Sequence, residues 1–269
     1  MTTSAASGAP ELRALVTGAS SGIGAAFARA LHARGERLIL VARRRDRLQA
    51  VADELSGAAA IALDLAAPGA PERLVAEVEA RGYAVDALIN NAGVGHTARF
   101  HEEEPERIAG MIDLNVRALV GMTRAFLPGM VARGRGRLVN VASNAAFQPV
   151  PFLTTYAATK SFVLSFTEGL AGELRGTGVT VQALCPGLTA TEFLEVAGTA
   201  RGLLVNRLPA MSAEDVVACS LRALDRGRLR VIAGLPNRVL AGVQHFLPRS
   251  LVRAVAAELY RPGRAGSVS

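Results

Sequence analysis

Apolar and polar positions follow two rhythms along most of this chain. Short apolar runs at 12–17, 37–41, 59–63, 85–89, 137–142, 179–184 and 229–233 read as strands. Between them lie stretches with helical spacing, at 25–34, 46–55, 71–81, about 104–131, 156–175 and 213–225. In the first, Phe27, Ala30 and Leu31 share a face; in the long fourth, Ile108, Met111, Ile112, Leu119 and Met122 recur along the helix. Strands separated by helices in this order predict an α/β fold, a mostly parallel seven-stranded sheet covered on both faces. With no repeat, no low-complexity linker and no break in composition, 11–235 is expected to be one domain.

The tail, 236–269, differs. Pro236, Pro248 and Pro262 bracket two short helical segments, and in the second Leu251, Val252, Val255, Ala256 and Leu259 fall at helical spacing beside Arg249 and Arg253. A basic amphipathic pair of this kind fits a membrane surface. Packing on its own domain or on a partner subunit is the expected arrangement.

The first strand feeds Thr17-Gly18-Ala19-Ser20-Ser21-Gly22-Ile23-Gly24, a glycine-rich turn that opens a helix. Glycines let backbone amides approach a pyrophosphate closely, and the helix N-terminus adds partial positive charge. In this strand–turn–helix setting the turn predicts a bound dinucleotide. An NAD site places a carboxylate about 20 residues on, to hold the ribose 2′-hydroxyl. Here Ala42 stands 18 residues after Gly24, followed by Arg43, Arg44 and Arg45. Guanidiniums grip phosphate with paired donors, so NADP(H) is expected over NAD(H), with Arg43 and Arg44 at the 2′-phosphate and Arg45 a solvated helix start.

Tyr156 and Lys160 stand four residues apart, so a helix sets both on one face, one turn apart. A phenol titrates too high to move protons readily at neutral pH. A neighbouring cation would favour the phenolate and bring it down. Composition sharpens the point. Of 30 basic residues 29 are arginine, and Lys160 is the only lysine. Arginine cannot titrate and is a bulkier planar fork, so a compact ammonium is what the position requires.

Taken together, these motifs resemble the classical short-chain dehydrogenase/reductase superfamily over residues 11 to about 233. Besides the glycine turn, Asp64-Leu65 follows the third strand and Asn90-Asn91-Ala92-Gly93 the fourth; Asn115 lies in the long helix, Ser143 ends the fifth strand, and Pro186-Gly187-Leu188-Thr189-Ala190-Thr191 follows the sixth. Val41–Arg44 and Pro186–Phe193 are similar to the corresponding segments of a bacterial NADP-dependent subgroup. The resemblance implies a Rossmann-type doubly wound domain with a C-terminal helical extension. It implies that Tyr156 gives a proton to a carbonyl oxygen as hydride reaches carbon, that Ser143 orients that carbonyl, and that Lys160 binds the nicotinamide ribose and depresses the Tyr156 pKa. Asn115 would hold a water linking Lys160 to solvent; Gly18, Ser20, Ser21, Gly22, Ile23 and Gly24 would cradle the pyrophosphate. Asp64 and Leu65 would meet adenine, Asn91, Ala92 and Gly93 the ribose, and Pro186, Gly187, Thr189 and Thr191 the nicotinamide. A homodimer or homotetramer through 104–131 and 156–175 is implied as well.

The implied activity is reversible NADPH-dependent reduction of a ketone or aldehyde. Phe100, Phe147, Phe152, Leu153, Phe193, Leu194, Leu203 and Leu204 lie in the segments expected to shape the pocket, which argues for an apolar carbonyl substrate. A 3-oxoacyl thioester or polyketide-type carbonyl fits too. A non-catalytic dinucleotide-binding protein would have shed Tyr156 or Lys160. His96 is expected to face solvent, and Cys185 to be a buried small apolar residue.

The remaining composition mainly excludes. Half the residues are hydrophobic, no apolar run reaches membrane-spanning length, and Cys185 and Cys219 cannot build a disulfide scaffold, so a reducing, cytoplasmic setting is expected. The start lacks the pattern of a secretory leader. His32, His101 and His245 show no metal-ligand spacing, so no metal is expected. A formal charge of +7 raises nucleic acid as a partner, but the arginines are scattered and aromatics make up only 4%, which argues against it.

Overall fold

The computed structural model describes residues 11–190, 210–244 and 246–261. Seven strands, β1 (Glu11–Thr17), β2 (Leu38–Ala42), β3 (Ala59–Ala62), β4 (Tyr83–Asn90), β5 (Gly136–Val141), β6 (Val179–Cys185) and β7 (Arg230–Ile232), pair in parallel in the order β3-β2-β1-β4-β5-β6-β7. The helices are α1 (Gly22–Ala33), α2 (Arg45–Glu54), α3 (Ala70–Ala80), α4 (Pro105–Ile112), α5 (Leu119–Ala132), α6 (Thr154–Glu173), α7 (Ala213–Leu224), α8 (Leu235–Val243) and α9 (Arg249–Tyr260).

The strands are continuous apolar runs because both faces of the sheet are covered. Alternate residues serve opposite cores. Ala14, Val16, Leu38 and Leu40 pack with Phe27 and Leu31 of α1 and Val216 of α7. Their neighbours Leu15, Ile39 and Val41 pack on the other side with Leu74 of α3 and Met122 and Phe126 of α5. Each fully buried Leu, Ile or Phe contributes about 1.5–3 kcal/mol, so these two layers dominate stability.

Strand order turns back at β1, whose neighbours are β2 and β4. Chain leaving β1 and β4 therefore diverges to opposite sides, opening a crevice beyond their carboxyl ends. Thr17 and Asn90 end those two strands.

The long helix expected at 104–131 is interrupted. α4 and α5 are joined by one wider, π-helical turn over Asp113–Ala118, centred on Asn115. The cause is tertiary. Asn115, only 1% exposed, accepts from the Val94 amide at 2.9 Å and donates to the Val94 carbonyl at 2.8 Å and Thr159 Oγ1 at 3.0 Å.

A buried polar chain ties the central strands to the helices behind them. Asn90 donates to Asn140 Oδ1 and to Thr123 Oγ1, and Asn140 donates to Thr167 Oγ1, each at 3.0 Å. Satisfied buried amides specify register, since a slip would leave each one unpaired. In α9 the apolar set expected to face inward divides: Val252 and Ala256 are buried, Leu259 is half-buried, and Leu251 and Val255 are exposed.

Candidate active site

The glycine-rich turn runs from Thr17 to the first residues of α1. Gly18 and Gly22 have φ of 66° and 54°, the left-handed region that glycine enters without strain. A Cβ on Gly24 would run into the Gly18 carbonyl and the Asn91 side chain. Ser21 caps α1 without a side-chain hydrogen bond to it, and no acidic residue stands in the first turn. Backbone amides at that helix end suit an anion. Arg44 reaches back over the turn, its Nη2 donating to Ser21 Oγ at 2.8 Å and Ser20 Oγ at 3.2 Å. A guanidinium placed against these hydroxyls suits the 2′-phosphate of NADP(H), so the residues present fit the dinucleotide. Arg43 and Arg45 are exposed.

The turn after β4 is pinned to the same place. Thr17 Oγ1 accepts from the amides of Asn91 and Ala92 at 2.9 and 3.0 Å, and Asn91 Nδ2 donates to the Thr17 carbonyl at 2.9 Å. Gly93 lies so that an added Cβ would stand 3.1 Å from Asn115 Oδ1 and 3.3 Å from Lys160 Nζ. The backbone of this turn therefore approaches Asn115 and Lys160 as closely as glycine permits. Leu65 is buried, and Asp64, exposed, accepts from the Ala66 amide at 3.0 Å.

Ser143, Tyr156 and Lys160 converge. α6 carries Tyr156 and Lys160 on its buried face, at 8% and 4% exposure. Ser143 hydrogen-bonds the Tyr156 phenol, and its Oγ accepts from the Ala145 amide at 3.1 Å. Lys160 Nζ donates to the Val141 carbonyl at 2.8 Å and stands 5.7 Å from the centre of the Tyr156 ring. Asn115 joins through Thr159, which donates to the Tyr156 carbonyl at 2.8 Å.

The pKa of Tyr156 departs from the direction expected. Burial pushes the phenol up to about 12, with the Ser143 hydrogen bond opposing and nearby Tyr260 adding to the rise. Lys160 is brought down to about 8 by burial. Desolvation outweighs charge proximity because the ammonium is directed at the Val141 carbonyl.

The family model of short chain dehydrogenases matches residues 13–201. This chain is a short-chain dehydrogenase. It is similar to the NADP-dependent 3-hydroxy acid dehydrogenase YdfG of Salmonella typhi, 41% identical over 185 residues that span 68% of this chain and 75% of that one. Among solved structures, a short-chain dehydrogenase from Sphingobium yanoikuyae in complex with NADPH superposes with a TM-score of 0.76 at 35% identity, covering 88% of this chain and 94% of that one. The bulky-bulky ketone specific alcohol dehydrogenase from Comamonas testosteroni gives 0.73 at 29% identity, covering 89% and 95%. The short-chain dehydrogenase described here is thus an oxidoreductase of CH–OH and C=O groups that uses NADP(H).

The turn after β6 is joined to the residue that follows Ser143. The Pro186 carbonyl accepts from the Asn144 amide at 2.8 Å, and Thr189, buried, donates to the Gly187 carbonyl at 3.1 Å. A Cβ on Gly187 would collide with Asn237 of α8. Asn144 Oδ1 is buried with no partner among the described residues. Thr191, Phe193, Leu194, Leu203 and Leu204 lie outside the described residues.

Two residues stand differently from expectation. His96, expected in solvent, is 27% exposed at its side chain and sits between Glu103 Oε1 at 3.2 Å and Arg107 at 3.0 Å, fastening its loop to α4. Tyr260 went unremarked as a site residue. It packs beside Tyr156 against Met111, Ala145, Val150 and Leu153. Its sequence signal was the four-residue spacing Val252, Ala256, Tyr260, which continues the buried face of α9. Cys185 is buried as expected, its thiol pushed up to about 12 by burial. No metal-binding group of side chains occurs among the described residues.

Proposed function

We propose that this enzyme reduces a bulky apolar ketone or aldehyde, reversibly, with Tyr156 as proton donor. The observation that carries the reading is a Ser143–Tyr156 hydroxyl pair set within an apolar wall of Met111, Val150, Leu153, Val94 and Tyr260. NADPH supplies the hydride. The Ser143 hydroxyl orients the carbonyl oxygen, and Tyr156 delivers a proton to it as negative charge builds there. A general acid must arrive protonated, and burial keeps this phenol so at neutral pH. The Lys160 ammonium then offsets the charge left on the phenolate. Asn115 braces α6 at Tyr156 through Thr159, which bonds the Tyr156 carbonyl.

The two relatives named for their substrates point to different classes, a 3-hydroxy acid and a bulky ketone. The side chains clustered with Tyr156 are apolar, which favours the ketone. A 3-oxoacyl thioester or polyketide-type carbonyl shares the apolar requirement and is the reading to set against it. Subunit pairing through α6 is supported by Phe162, 42% exposed and stacked on Phe166 at 5.9 Å between centroids. No helix among the described residues is long and apolar enough to cross a membrane, and a cytoplasmic location suits an enzyme fed by NADPH.

The decisive experiment is NADPH consumption against a panel of bulky apolar ketones, 3-oxoacyl thioesters and small 3-oxo acids. Turnover of the ketones, abolished in Tyr156→Phe with dinucleotide binding retained, is expected. Full turnover by that variant would overturn the assignment of the proton donor, and preference for the small acids would overturn the substrate class.

A further inference from the structure

We infer that Phe152 is a specificity-determining residue whose ring meets the larger substituent of the ketone, an inference that rests on the ketone reading above. Val150-Pro151-Phe152-Leu153 is a tight turn, closed by the Leu153 amide on the Val150 carbonyl at 3.1 Å. Proline fixes φ of the first central residue near about −65°. Phe152, the second central residue, has φ 65°. This combination is the type II turn, whose second central position calls for glycine. At the eleven other described positions with positive φ the chain does place glycine. A bulky residue is strained in this region, so Phe152 is kept against the demand of its own backbone.

Packing within the fold does not account for it. Phe152 is half-buried yet joins none of the apolar clusters of the described residues, although Val150 and Leu153 on either side of it pack with Tyr156. Its carbonyl accepts from the Ala98 amide at 2.9 Å, which ties the turn to the loop after β4. Val94 of that loop packs against the same Tyr156 cluster. The junction carries a second cost, since Thr97 Oγ1, next to Ala98, is buried with no partner among the described residues. A strained backbone and an unpaired hydroxyl meet here, four residues before the proton donor. Local costs that stability does not repay are the mark of a site shaped for its ligand. Phe152 thus stands at the edge of the apolar wall around Tyr156, where a bulky substituent extends and a small ketone does not.

Steady-state kinetics of Phe152→Gly with a diaryl ketone and with acetone, alongside NADPH titration and thermal melting, test this. The KM for the diaryl ketone should rise about tenfold, while kcat, the KM for acetone and NADPH affinity stay within about threefold. The melting temperature should equal or exceed the parent's, because glycine enters the left-handed region without strain. Phe152→Asn, which tolerates the same φ, should match the glycine variant, and Phe152→Tyr, which keeps the ring, should restore the KM. An unchanged KM for the diaryl ketone overturns the inference. So does a fall in melting temperature in Phe152→Gly, which would make the ring part of the fold's own packing, or a parallel rise in KM for both ketones and NADPH. Failure of the parent to reduce any ketone overturns the ketone reading and this inference with it; reduction by the parent with no change in the variants overturns this inference alone.

Discussion

Asn115 and Val94 exchange two hydrogen bonds, side-chain amide to backbone peptide group, 21 residues apart in the chain. The exchange opens a π-helical turn in what would otherwise be one long helix, and holds the loop beyond Gly93 against Lys160. Asn115→Ala leaves the Val94 amide and carbonyl without their partner and removes a donor from Thr159. With each stranded buried group costing about 1–3 kcal/mol, a loss near 3 kcal/mol is expected in urea unfolding. Because Thr159 also bonds the Tyr156 carbonyl, kcat should fall more than NADPH affinity. Unfolding at the wild-type midpoint would show that these bonds do not hold the turn.

Arg44, rather than Arg43, covers the glycine-rich turn. Charge-assisted hydrogen bonds to phosphate contribute about 1.5–3 kcal/mol. Arg44→Ala should therefore weaken NADPH binding by roughly 10–100-fold and leave NADH within about threefold. Arg43→Ala should discriminate less between the two. Titration of each variant with both dinucleotides decides it, and equal losses in Arg44→Ala would reject the 2′-phosphate assignment.

Both arginines were visible in the sequence, but which one turns back on Ser20 and Ser21 depends on the start of α2, set by packing of Leu48 and Val51. The same division runs through the molecule. Strands such as Leu38–Ala42, buried on both faces, announce themselves as apolar runs, and the seven of them with their helices were legible from pattern alone. The interruption at Asn115 was not, because its cause lies in a loop 21 residues away. The direction of the Tyr156 shift was not either: spacing placed an ammonium nearby, and only burial shows that desolvation wins. In α9 the helical period was right, yet a period cannot say which of two apolar faces meets the protein. Val252, Ala256 and Tyr260 took that side, leaving Leu251 and Val255 outside.

Tyr260 closes the apolar wall beside Tyr156 from the end of α9. Tyr260→Ala should open that wall, raising KM for bulky ketones about tenfold, as expected when a few apolar contacts to substrate are lost. The KM for NADPH should stay constant, because none of the dinucleotide contacts assigned above involves α9. Tyr260→Phe, which keeps the ring, should restore most of the ketone KM. A parallel rise in the NADPH KM would mean instead that the substitution disturbs the fold around α6.

Lys160 carries a charge that the fold disfavours. Its pKa falls from 10.5 unfolded to about 8 folded, because burial penalises the ammonium. Below pH 8 both states hold the proton and the full penalty is present; between 8 and 10.5 the unfolded chain binds more protons, so stability rises with pH; above 10.5 the penalty is gone. At 1.36 kcal/mol per unit the shift amounts to about 3 kcal/mol at neutral pH. Lys160→Met removes it but also loses the hydrogen bond to the Val141 carbonyl, worth about 1 kcal/mol. The variant should therefore be about 2 kcal/mol more stable than the parent at pH 7 and lose that advantage by about pH 10.5, while turnover collapses. Tyr156 titrates the other way, its folded pKa raised to about 12, so above pH 10 it weakens parent and variant alike and cancels in the difference. Urea unfolding of both proteins at pH 7, 9 and 10.5 measures the difference. A variant less stable than the parent at pH 7 would show that the buried ammonium is stabilised by more than the Val141 carbonyl.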